Sequence, residues 1–188
     1  MVPHFNLQSN SPHNPILKIA VVGNAGGGKT RLSRRLSEVH HIPVTHVDTI
    51  QFLPGMKIRP QEETRKVLRE ITNQEKWLID GYGPLDLIEN RFLLADRVIF
   101  IDFPIWRHYW WCAKRQVQSP WKRRSELPEN CNEATIEHTL KLFKAIWQIH
   151  TKMRPELLRI FKKAQLKDKV VHIQNMKDWN QVFQKGLE

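Results

Sequence analysis

The stretch Ile16-Leu17-Lys18-Ile19-Ala20-Val21-Val22 runs directly into Gly23-Asn24-Ala25-Gly26-Gly27-Gly28-Lys29-Thr30, and then into Arg31-Leu32-Ser33-Arg34-Arg35-Leu36. An apolar run of this length reads as a buried strand, and the segment that follows has the spacing of an amphipathic helix. The glycine-rich stretch between them is a complete phosphate-binding loop of the form Gly-x-x-Gly-x-Gly-Lys-Thr. Such a loop turns successive backbone N–H groups into one concavity that suits phosphate oxygens. The positive end of the following helix faces the same anion. Lys29 is expected to reach the β and γ oxygens, and the Thr30 hydroxyl to hold Mg²⁺. Residues Gly23 to Thr30, with Arg31, are therefore the expected nucleotide-binding set, with ATP and Mg²⁺ as cofactors.

Outward from the loop, short apolar runs alternate with longer amphipathic ones. Strands are expected at 17–22, 43–47, 76–80, 97–102 and 169–173, and helices at 29–40, 61–74, 85–94, 104–117, 133–164 and 177–185. Right-handed crossovers between parallel strands then give an α/β protein, a three-layer α/β/α sandwich whose ligand crevice lies at the carboxyl ends of the strands. The 188 residues suit one domain, 16–188, preceded by a loose arm over 1–15 that carries Pro3, Pro12 and Pro15.

Hydrophobic content of 40% and charge of 26% are ordinary for a globular chain, so the net charge of +11 and the seven tryptophans are the anomalies. Cys112 and Cys131 are too few for a disulfide scaffold, and no apolar run approaches a membrane span. The expectation is a reducing, cytoplasmic compartment and no membrane partner.

Three carboxylates fall at expected strand ends. Asp80 closes Trp77-Leu78-Ile79-Asp80 and Asp102 closes Val98-Ile99-Phe100-Ile101-Asp102. One of the two should orient the metal and its waters. Asp80 is favoured, because Asp102 leads through Phe103-Pro104 into a basic helix. Asp48, closing Val44-Thr45-His46-Val47-Asp48, should look across the phosphate loop at the acceptor, where a carboxylate can take the proton of an attacking hydroxyl. A phosphate acceptor needs no such base, so Asp48 tilts the acceptor towards a hydroxyl-bearing metabolite or nucleoside. The alternative for Asp48, as for Asp80, is a turn aspartate.

Between Asp102 and Glu126 there is no acidic residue, whereas Arg107, Lys114, Arg115, Lys122, Arg123 and Arg124 all fall there. A lid over about 105–133 that closes arginines onto the nucleotide would stabilise developing charge and exclude water. Arg115, Arg123 and Arg124 are the lid candidates, with Arg154 a fourth. A solvated basic face is the competing reading. Trp106 and Trp110, four residues apart, are expected to pack into the core, with base stacking the alternative. A zinc site from His108, Cys112, Cys131 and His138 lacks the paired Cys-x-x-Cys spacing.

Taken together, the phosphate loop, His46-Val47-Asp48, Trp77-Leu78-Ile79-Asp80-Gly81, Arg91 before Ala95-Asp96, Val98 to Pro104 and the segment Ile146 to Pro155 resemble the adenylate-kinase-related P-loop proteins called DNA topology modulation protein (FlaR-related), over about residues 17 to 174. The resemblance implies the P-loop NTPase fold of the nucleoside/nucleotide kinase type, a five-stranded parallel sheet with a helical lid after the fourth strand, and ATP with Mg²⁺. It also matches Asp80 to the aspartate of an Asp-Gly-aromatic-Pro-Arg motif. Here Gly83 intervenes before Pro84 and Leu85 stands in the arginine's place, which argues against a nucleoside-monophosphate acceptor and leaves Arg91 to take over phosphate binding. The expected activity is an ATP-dependent phosphotransferase on an unknown small-molecule acceptor. The alternatives are an ATP-binding protein acting on or near DNA, for which the basic charge provides the electrostatics, and a non-catalytic nucleotide-binding regulator.

Overall fold

The computed structural model describes residues 15–53, 57–118 and 136–187. Five parallel strands form its sheet: β1 (Lys18–Gly23), β2 (Val44–His46), β5 (Trp77–Asp80), β6 (Arg97–Ile101) and β7 (Val170–Ile173), in the spatial order β2-β5-β1-β6-β7. A separate antiparallel pair, β3 (Phe52–Leu53) and β4 (Lys57–Ile58), was not expected from the apolar pattern, because two-residue strands carry no readable period.

Alternation along β1 builds both cores. Ala20 and Val22 point to one face with Ile79, Val98 and Phe100, covered by α3 (Gln61–Thr72), α4 (Ile88–Leu94), α7 (Arg154–Phe161) and α8 (Ala164–Lys167). Ile19 and Val21 point to the other with Leu78, Ile99 and Ile101, covered by α1 (Lys29–His40) and α9 (Met176–Lys185). Every one of these strand residues is fully or almost fully buried, as both faces of a helix-wrapped parallel sheet require. The result is the three-layer sandwich. Register places the ends of the central strands side by side, with Val21 opposite Asp80 and Gly23 opposite Ile101.

Two expectations are corrected. The helix anticipated over 133–164 is divided into α6 (Ile136–Gln148), a π-helical turn at Ile149–Met153 and α7. Pro155 lies at the start of α7. It has no N–H for the Thr151 carbonyl, and its ring would collide with that carbonyl, so the backbone widens ahead of it. Trp106 and Trp110, expected in the core, are 62% and 64% exposed. On α5 (Ile105–Gln118) the inward positions are His108 and Cys112, both buried. Residues two positions away on a helix point roughly 200° around it.

Candidate functional site

At the carboxyl ends of β1, β2 and β5 a cleft of about 1030 Å³ opens. Gly23, Ala25 to Arg31, His46, Asp48, Asp80 and Arg115 all line it. The phosphate loop owes its shape to its glycines. Gly26 and Gly28 have φ of 72° and 77°, the left-handed region in which a side chain is strained. A Cβ on Gly26 would also lie 2.9 Å from Cys112 Sγ, so α5 packs against the loop too closely for any larger residue.

Side chains from the two helices that border the lid hold the loop from behind. Asn24 donates from Nδ2 to the Ile146 carbonyl of α6 (2.9 Å), and its Oδ1 accepts from the Ala25 N–H (2.8 Å). His108 Nδ1 donates to the Ala25 carbonyl at 2.8 Å. Burial pushes the His108 imidazole down to about 4, against the opposing pull of that hydrogen bond, and the nearby Lys29 charge lowers it further. His108 is therefore neutral at physiological pH. The sequence gave no sign of this strut, since a lone buried histidine has no motif. Lys29 Nζ donates to the Asn24 carbonyl at 3.1 Å, which keeps the ammonium folded over the loop.

The two aspartates at strand ends have different surroundings. Asp80, 5% exposed, accepts at Oδ2 from the Thr30 hydroxyl (3.1 Å) and from His46 Nδ1 (3.0 Å), while its Oδ1 is buried with no partner among the described residues. Asp102 is saturated. Arg154 grips it with Nε at 2.6 Å and a terminal nitrogen at 2.9 Å, and His172 Nε2 donates at 2.8 Å. Burial alone would raise the Asp102 carboxyl, but the His172 and Arg154 hydrogen bonds outweigh it and hold it below the usual carboxylate range. Arg154 is thereby corrected from a lid or substrate arginine to the partner of Asp102.

Arg91 is corrected as well. It is 3% exposed and donates from one terminal nitrogen to the carbonyls of Gly81 and Tyr82, both at 2.9 Å, so it braces the exit of β5 and does not line the cleft. Burial lowers it to about 10, with the Asp80 charge opposing, so it stays cationic at neutral pH. Asp48 is not a strand end. It is the second residue of α2 (Val47–Gln51), half-buried on the cleft wall. Arg115 reaches the cleft from α5, and its Nε is buried with no hydrogen-bond partner among the described residues. Arg123 and Arg124, with Cys131 and most of the expected lid, lie outside the described residues. Arg31 lies over the Trp179 and Phe183 rings, at 5.6 Å and 4.9 Å from their centroids, beside the loop.

The donor set suits a hard divalent ion bound through few protein oxygens. A carboxylate oxygen left unpaired in the interior beside a threonine hydroxyl is costly unless a cation or its water completes it. Clusters of three or more His, Cys, Asp or Glu side chains that would cage a metal outright are absent among the described residues.

No family model matches the chain, and a search of the curated proteins finds no match. Among solved structures, shikimate kinase from Acinetobacter baumannii, in complex with shikimate, is similar over 90% of both chains at 16% identity, with a TM-score of 0.55. Shikimate kinase from Bacteroides thetaiotaomicron matches 82% of this chain and 94% of its own at 15% identity, with a TM-score of 0.48. The fold is that of the P-loop kinases, an α/β sandwich on a five-stranded parallel sheet. Nothing in the comparisons singles out the DNA topology modulation family. No helix among the described residues is long and apolar enough to cross a membrane.

Proposed function

We propose that this protein is an ATP- and Mg²⁺-dependent phosphotransferase that acts on the hydroxyl of a small molecule. The observation that carries the reading is the convergence, in one cleft, of a complete phosphate loop, the Thr30–Asp80 pair with a free carboxylate oxygen, and the separate carboxylate Asp48. The likeness to shikimate kinases supports it through the fold.

In this reading the loop N–H groups and Lys29 bind the triphosphate, and Thr30 and Asp80 hold Mg²⁺, which neutralises charge on the transferred group. His46 occupies Asp80 Oδ2 and so leaves Oδ1 turned to the ion. Asp48 orients the acceptor hydroxyl and accepts its proton as the oxygen attacks phosphorus and the β–γ bridging oxygen leaves with ADP. Arg115 supplies positive charge over the developing negative charge. Asn24 and His108 keep the loop in its binding shape, so little of the binding energy goes into ordering it.

The test is ADP formation from ATP·Mg²⁺ in the presence of hydroxyl compounds, shikimate included, with DNA as a parallel arm. Acceptor-stimulated ADP release is expected. ATP turnover that appears only with DNA, with binding that weakens steeply in salt, would overturn the reading in favour of a nucleic-acid role.

A further inference from the structure

The cleft is divided by charge, and the division bears on the acceptor. Its lysine and arginines among the described residues, Lys29, Arg31, Arg34, Arg35 and Arg115, all belong to the phosphate loop, α1 and α5. The opposite wall is built from α2 and β3, the segment after β5, and α6 with its π-helical turn, and none of the residues it contributes is a lysine or an arginine. It presents Phe52, Leu85, Leu142, Ala145, Ile149 and Met153, with Asp48 and Gln51 as its polar groups on the α2 side. The π turn contributes Ile149 and Met153, the first and last residues of the widened segment.

Arginines on the elements around this wall are committed elsewhere. Arg59 donates to the Ile50 carbonyl (2.8 Å) and to Glu63 (3.2 Å), and Arg65 to Asp86 and Glu62. Arg91 is spent on the Gly81 and Tyr82 carbonyls and Arg154 on Asp102. A carboxylate or phosphate on the acceptor would therefore lose water against apolar side chains, gain no cation there, and lie in a cleft that also holds Asp48 and Asp80. A neutral molecule meets none of these costs, and its apolar body gains by burial.

Resting on the phosphotransferase reading, we infer that the acceptor is an uncharged alcohol with an apolar body, its hydroxyl at Asp48 and its body on Phe52, Leu85, Leu142, Ile149 and Met153. Phosphoryl transfer would make its phosphomonoester and ADP, with the hydroxyl proton passing to Asp48.

The experiment measures ADP formation by the full chain with a library of hydroxyl compounds in charge-matched pairs, such as thymidine with thymidine monophosphate and pantothenol with pantothenate. Neutral members are expected to exceed their anionic partners at least tenfold in kcat/KM. Leu85→Arg, at a position 63% exposed and so tolerant of a long side chain, should cut that ratio at least tenfold while ATP affinity stays unchanged. Preference of the unaltered protein for anionic members, or a ratio that Leu85→Arg does not move, overturns the inference and leaves the phosphotransferase reading standing. Failure of every member to stimulate ADP formation, with ATP binding intact, overturns that reading and the inference with it.

Discussion

Acidification should weaken the fold through His108 before it protonates the most strongly held carboxylate. The imidazole is 1% exposed, wedged between α5 and the phosphate loop, with Nδ1 committed to the Ala25 carbonyl. In the unfolded chain it protonates near 6.5, whereas burial holds it at about 4 in the fold. Between those values the unfolded chain binds more protons, so stability is full above pH 6.5 and declines as pH falls towards 4. At ~1.4 kcal/mol per unit the displacement amounts to roughly 3 kcal/mol. That is a large share of the stability of a domain, typically about 5–15 kcal/mol. Urea denaturation of the natural protein and of His108→Asn, which keeps an amide donor near Nδ1 but cannot titrate, isolates this contribution from the carboxylates common to both. The natural protein should lose roughly 3 kcal/mol more than the variant from pH 7 to pH 4. Two stability curves that run parallel across this range would refute the reasoning.

Lys29→Ala should weaken ATP binding by at least ~100-fold in calorimetry, since the ammonium is the loop's only side-chain cation on the β and γ oxygens; retained full affinity contradicts the nucleotide site. Asp48→Asn should lower kcat by roughly 10²–10⁴ with little change in ATP affinity, and unchanged turnover of the true acceptor would exclude Asp48 from proton transfer. Arg154→Ala leaves the buried Asp102 with His172 alone. Because the arginine side chain is 35% exposed, water partly replaces it, and the loss should be about 1–3 kcal/mol, below the range for a fully buried pair. A thermal midpoint that does not fall would show that the pair contributes nothing to the fold.

Most of the architecture was legible because burial writes itself into period and run length. The runs at 17–22, 76–80 and 97–102 are strands buried on both faces, and their order with the amphipathic segments imposes the parallel sheet. Where the fold depends on a single side chain, the pattern was silent. Pro155 divides a helix that its apolar spacing makes continuous. On α5 two i, i+4 pairs competed for the core, and the smaller pair, His108 and Cys112, took it because the close approach at Gly26 leaves no room for indole. The two-stranded β3–β4 pair and the strut from His108 to Ala25 have no sequence signature.

By itself the sequence determined the phosphate loop, since its glycines, Lys29 and Thr30 act through backbone geometry and local chemistry that eight consecutive residues carry whole. It also placed Asp80 and Asp102 at strand ends, but left two equivalent candidates for one task. Only the tertiary structure separated them, because long-range contacts gave Asp102 to Arg154 and His172, and gave Asp80 to Thr30 and His46 with one oxygen unpaired. The same holds for the arginines. A sequence shows that a cation exists, whereas its availability depends on which carbonyls and carboxylates the fold brings within about 3 Å, and that is what withdrew Arg91 and Arg154 from the cleft.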